Sequence, residues 1–224
     1  DYGGTQFQND PSFAVVAAPN LTSGQGGVGA TYSDADWEKA LRHGVGSDQR
    51  GLVLMPSQAY YHFSDADLGA LIAYVKSVPP VDREWPARSV AFLPKMLVGA
   101  GLFPVAAVTL DHAARPAAAA PGLTAEYGNY LTQIAGCREC HGEQFQGLTG
   151  ENGPPPGPNL TPASELAGWT DEHFKTLMRT GMTSGGRQVS EDMPWQVYKG
   201  MTDEELQAIW LTLQALPPQP VASR

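Results

Sequence analysis

Cys137, Cys140 and His141 stand together in Cys137-Arg138-Glu139-Cys140-His141, the stretch of this sequence best suited to do chemistry. Two thiols three apart, followed directly by an imidazole, is the spacing of c-type haem attachment. One helical turn matches the thiols to the two vinyl groups of a single porphyrin, and the adjacent imidazole supplies the proximal ligand. The 224 residues contain no other cysteine, so nothing competes for the pair. Other uses of the spacing fit less well. A redox dithiol wants a thioredoxin-like βαβ setting, and no strand pattern flanks this one. A structural zinc site needs four N or S ligands, and the cluster offers three. A disulfide inside one turn would staple almost nothing.

The rest of the composition frames that site. The chain is long enough for one large domain or two small ones, with 42% hydrophobic residues to form a core. Its 25 glycines and 19 prolines imply many loops, where a buried porphyrin can stand in for part of the core. The net charge of −9 argues against nucleic acid, which wants a basic face. Haem propionates would add negative charge, favouring a cationic patch on the partner. The longest apolar run, residues 96–110, is broken by Gly99, Gly101 and Pro104 and is shorter than the about 20 residues a bilayer span requires. It reads as a connector between two domains. No signal peptide is visible at Asp1, so the sequence reads as a mature or trimmed product.

The elements that must position the site come in two copies. Pro19-Asn20-Leu21-Thr22 returns as Pro158-Asn159-Leu160-Thr161. Ser33-Asp34-Ala35-Asp36-Trp37 returns as Thr170-Asp171-Glu172-His173-Phe174. Arg42-x-Gly44 matches Arg179-x-Gly181, Arg50 matches Arg187, and Met55-Pro56 matches Met193-Pro194. Ser64-Asp65-Ala66-Asp67-Leu68 returns as Thr202-Asp203-Glu204-Glu205-Leu206, and both lead into a Pro-Pro. Six blocks in one order indicate a duplicated domain.

Each copy reads as helical. Ser33, Thr170, Ser64 and Thr202 are N-caps with acids in the following turn, and Thr202 with Glu205 forms the stricter capping box. Leu206, Ile209, Trp210 and Leu213 make one apolar stripe, repeated by Leu68, Leu71, Ile72 and Val75. Both helices stop before proline. Residues 124–135 form an opening helix with Tyr127, Tyr130, Leu131 and Ile134 on its apolar face; Gly128 would let another helix approach. Residues 150–162, rich in glycine and proline, read as extended loop.

His141 fills one axial position. Candidates for the other are Met182, Met193, Met201 and the remaining histidines. Met193 has a counterpart in Met55, each followed by proline, whereas Met182 aligns with Val45 and Met201 with Phe63. The repeat therefore favours Met193. A thioether opposite a neutral imidazole stabilises ferrous iron and suits electron transfer. Arg187 and Arg50 precede the methionines, where a guanidinium could pair with a propionate. The Pro158 carbonyl, beside Asn159 in the repeated motif, is the expected acceptor for the other imidazole nitrogen.

These motifs resemble class I cytochrome c, and their tandem arrangement resembles the di-haem cytochromes c that serve dehydrogenases and respiratory chains. The resemblance covers most of residues 124–218. It implies an all-α fold: two tandem cytochrome c-like domains, each a few helices and long loops around a haem. The expected boundaries are 1–85 and 123–218, with a connector at 86–122 and a tail at 219–224. It also implies His/Met ligation and one-electron relay between a redox donor and acceptor protein. The rival class is a di-haem enzyme, a peroxidase or sulfur-compound dehydrogenase. It would need an open or unusual iron and acid/base groups aimed at it, which do not cluster here.

The first copy lacks the opening of the pattern. Tyr2 and Gly4 match Phe145 and Gly147, so the partner of His141 falls just before Asp1. The expectation is a parent protein with a first attachment motif upstream and a second haem liganded by Met55. The rival is a first copy that lost its haem and became structural. Covalent haem attachment takes place outside the cytoplasm, so the protein is expected to be periplasmic or otherwise extracytoplasmic. Membrane association would come through an upstream anchor or a partner complex.

Overall fold

The computed structural model describes residues 1–103, 105–116, 118–149, 156–220 and 222–223. The chain divides into two compact units, Asp1–Pro116 and Ala117–Arg224. Of the expected loop at 150–162, residues 150–155 lie outside the described residues, and residues 156–160 have no regular structure.

The first unit opens with a hairpin, β1 (Thr5–Asp10) and β2 (Ala14–Ala18), and β3 (Ser89–Val90) adds to β2; all pairs are antiparallel. The turn follows from its residues. The Asp10 carboxylate accepts from the Ser12 amide and hydroxyl at 2.9 and 2.6 Å, Pro11 presets the next φ, and the Phe13 amide donates to the Asp10 carbonyl at 3.0 Å. Helix dominates the molecule, but this sheet amends the all-α expectation. Short strands held by a local turn and a two-residue partner seventy residues away carry too little periodicity to announce themselves.

Helices α1 (Asp34–His43), α2 (Ser57–Tyr60), α3 (Asp65–Ser77), α4 (Phe92–Gly99) and α5 (Ala106–Thr109) complete the first unit. Its core is Trp37, Leu41, Leu68, Ile72 and Val75. In α4, Phe92, Leu93 and Met96 are exposed. Among the described residues, no helix is long and apolar enough to cross a membrane.

The second unit contains α6 (Ala125–Ile134), α7 (Cys137–His141), α8 (Asp171–Thr180), α9 (Trp195–Tyr198) and α10 (Asp203–Ala215). Strand β4 (Leu148–Thr149) pairs in parallel with β5 (Ala222–Ser223). Helices α6 and α10 cross so closely that a Cβ at Gly128 would overlap the Ala208 carbonyl. That crossing buries Tyr130, Leu131, Leu206, Ile209, Trp210 and Leu213 in one core.

The repeated sequence blocks take the same local geometry in each unit. The Asn20 side chain accepts from the Thr22 amide and hydroxyl at 3.0 and 2.9 Å and donates to the Val81 carbonyl at 2.6 Å. Asn159 accepts twice from Thr161, at 2.7 Å each, and donates to the Gln219 carbonyl at 2.7 Å. Each asparagine thus ties its loop to the segment beyond the terminal Pro-Pro. The Arg-x-Gly motif ends α1 and α8 on left-handed glycines, Gly44 and Gly181. Its arginine then reaches the next long helix: Arg42 pairs with Asp65, and Arg179 with Asp203, each at 2.8 Å.

Candidate functional site

Gly136, in a left-handed conformation, breaks the chain between α6 and α7, and Gly142 with positive φ ends α7. Between them one helical turn carries Cys137, Cys140 and His141. The two cysteines form no disulfide. Burial pushes the Cys137 pKa up to about 12, which keeps it a neutral thiol. That is the opposite of the depressed value a disulfide-exchange cysteine needs.

The imidazole of His141 is 6% exposed and anchored. A carbonyl only accepts, so the 2.8 Å contact from Nδ1 to the Pro158 oxygen places the proton on Nδ1. Burial lowers the pKa of the ring, against the opposing pull of that bond, and the neutral ring keeps a lone pair on Nε2. Gly157, just before Pro158, donates its N–H to the Cys140 carbonyl at 2.8 Å and fastens this loop to α7.

His141, Cys137 and Met193 line one cavity. Its walls are apolar, built from Phe145, Leu160, Phe174, Met178, Ile209 and Leu213. Ile209 and Leu213 belong to the helical stripe read from the sequence, so part of the core is also cavity wall. Met193 sits in a bend in which the Trp195 amide donates to its carbonyl at 2.8 Å, and Pro194 follows it. Met55 occupies the equivalent bend of the first unit, with the Ser57 amide on its carbonyl at 2.8 Å, half-buried against that unit's core.

The other sequence candidates are placed as follows. Met201 lines the same cavity, whereas Met182 does not and instead pairs with Gln188 in a β-bridge. Asn159 is occupied with Thr161 and Gln219, and Pro158 with His141. Arg187 is exposed and ion-paired with Glu165 at 3.0 Å; Arg50 is exposed near Asp48. The sequence reading missed Tyr198 and Met178. Tyr198 lines the cavity, and its hydroxyl donates to the Ala135 carbonyl at 2.8 Å. Burial, with the two thiols next, raises its pKa and keeps it a neutral donor. The repeat carried a signal for it: Tyr60 follows Met55 by five residues, as Tyr198 follows Met193.

An apolar slot with one anchored imidazole, a thioether and two cysteine sulfurs on a single adjoining turn suits a porphyrin bearing a soft-to-borderline metal. No family model matches the chain. It is 29% identical over 195 residues to the fructose dehydrogenase cytochrome subunit of Gluconobacter japonicus, covering 78% of this chain and 38% of that protein. It is 26% identical over 238 aligned residues to the diheme cytochrome c-type of Cereibacter sphaeroides, covering 96% and 75%. These relatives are a cytochrome subunit of a dehydrogenase and a diheme cytochrome c, and the chain is similar to them. The alcohol dehydrogenase (quinone) cytochrome c subunit of Komagataeibacter europaeus matches the chain at 26% identity, over 93% of the chain and 48% of the relative. The chain spans half or less of the length of the two dehydrogenase subunits. The relatives imply haem c, and the two dehydrogenase relatives are named as cytochrome subunits.

Proposed function

We propose that the chain is a c-type cytochrome that relays single electrons between redox partner proteins through a haem c that thioethers to Cys137 and Cys140 would attach and His141 and Met193 would ligate. The observation that carries this reading is one apolar cavity lined by both His141 and Met193. Bound there, haem c supplies a one-electron ferric/ferrous couple.

The protein's own part is positional. Pro158 holds His141 in the Nδ1–H tautomer, leaving Nε2 as the donor. The bend at Met193-Pro194 offers a soft sulfur, which favours the lower charge state. Phe145, Leu160 and Phe174 give the slot an apolar wall, and His141 and Met193 together would leave the iron no position for a substrate. Tyr198 ties α9 to the end of α6. The names of the relatives suggest the catalytic subunit of a dehydrogenase as partner, with the acidic surface meeting cationic patches. Met55 is proposed as ligand to a second haem in the complete protein. Arg187 and Arg50, paired with surface acids here, are proposed propionate partners that exchange those acids for the cofactor.

The decisive experiment is spectroscopy of the isolated protein. The reading expects a weak red absorption band of thioether-bound ferric haem and no carbon monoxide binding by the reduced form. Ready carbon monoxide binding would overturn the carrier mechanism in favour of an open iron. Intact mass spectrometry counts the haems.

A further inference from the structure

His43 and His112 form a second histidine cluster, wholly within the first unit. Their Nδ1 atoms are 3.0 Å apart, and the rings meet edge-on at 5.0 Å. His43 closes the last turn of α1; His112 follows α5. The Nε2 of His112 lies 3.1 Å from the Ala107 carbonyl, which only accepts. The proton of His112 is therefore on Nε2, and its Nδ1 lone pair points at His43. Histidine metal ligands are commonly oriented by such a bond from the far nitrogen to a carbonyl. His141 uses the same device with Pro158.

The segment carrying His112 is also held. The Asp111 carboxylate accepts from the amides of Ala113 and Ala114 at 2.9 and 3.3 Å, and the Tyr61 hydroxyl donates to the Asp111 carbonyl at 3.1 Å. The nearby cations are already paired. Glu38 bonds Arg42 at 2.9 Å and lies 3.6 Å from Arg115, and Arg42 also pairs with Asp65. Burial, then His112 and Arg115, holds the His43 pKa below its usual value.

We infer that His43 and His112 form a two-nitrogen clip for a divalent transition metal, joining the end of α1 to the segment after α5. With metal–nitrogen bonds of about 2.0–2.1 Å, donors 3.0 Å apart subtend about 91–97° at the metal. That is the cis angle of a tetragonal N,O site, the preference of Cu(II) or Ni(II), and is narrower than a tetrahedral zinc site offers. To bind, His43 moves its proton from Nδ1 to Nε2, and no net proton is released. Among the described residues no third His, Cys, Asp or Glu completes a cluster, so water fills the remaining positions on the exposed His112 side.

The test is a titration of the haem-loaded full chain with Cu(II) in a non-coordinating buffer, followed by electron paramagnetic resonance. One Cu(II) per chain with hyperfine coupling to two imidazole nitrogens is expected, with a rise in Tm on binding. His112→Ala should weaken binding at least tenfold, since losing even an outer partner of a metal ligand costs about 10–100-fold. His43→Gln should do the same. Equal uptake by wild type and His112→Ala, or coupling to a single nitrogen, overturns the inference; because His112 is exposed, that variant leaves the core intact.

Discussion

A Cβ at Gly157 would stand 2.7 Å from Nδ1 and 2.8 Å from Cε1 of His141, so the glycine backbone lies directly against the imidazole. No side chain fits between them without moving the ring or the loop. In Gly157→Ala the cost of such overpacking is about 1–3 kcal/mol. Denaturant unfolding of the haem-loaded protein should show that loss, together with a weakened red thioether band as the imidazole turns. A variant with wild-type stability and spectrum would mean that the loop yields freely.

Met193→Ala should open the sixth position. The reduced variant then binds carbon monoxide, and the midpoint potential falls by on the order of a tenth of a volt or more, within the roughly 0.8 V that axial ligands span. Met201→Ala, which removes the other thioether from the same loop region of the cavity, should leave both readouts near wild type. Interchanged phenotypes would move the ligand assignment to Met201.

Asn20→Ala and Asn159→Ala remove matching clamps: the Thr22 and Thr161 amides lose their acceptor and the Gln219 carbonyl its donor, while the Val81 carbonyl keeps the Thr22 hydroxyl at 3.3 Å. Unsatisfied buried groups cost about 1–3 kcal/mol each. Calorimetry should show comparable losses in the two variants, each of several degrees in Tm. Only Asn159→Ala should also disturb the haem spectrum, through the neighbouring Pro158 carbonyl.

The hydrogen bond from Arg179 holds the Asp203 carboxyl below its ordinary value of 3.8. A carboxylate with a depressed folded-state pKa contributes stability above its unfolded pKa and loses it as pH falls through the folded one. Asp203→Asn should therefore be less stable than wild type at neutral pH, and the difference should vanish with acidification below about pH 4. Acid titrations of both proteins by circular dichroism check this; a difference independent of pH would assign the effect to the helix cap instead.

The parts of the fold legible in the sequence were those with local causes. Ser64, Thr170 and Thr202 cap α3, α8 and α10 because a cap needs only the next three residues. The stripe through Leu206 and Leu213 needs only helical periodicity. Even the Asp10–Phe13 turn is local, yet the sheet it starts depends on Ser89 and Val90 returning from far along the chain. Tyr198 and Met178 were missed for the same reason: their place in the wall is set by how α8 and α9 pack, not by their neighbours in sequence.

By itself the sequence determined the chemistry on offer: two thiols and an imidazole on one turn, because i, i+3 and i+4 spacing is a property of a single helix. It determined the repeat as well, since order and spacing survive without coordinates. Tertiary structure alone decided what meets that turn. Met193 and Met201 reach the cavity with His141 while Met182 does not, and the arginines face surface acids. Those outcomes depend on the α6–α10 crossing at Gly128 and on loops closed by Asn159, contacts between residues far apart along the chain that no local spacing encodes.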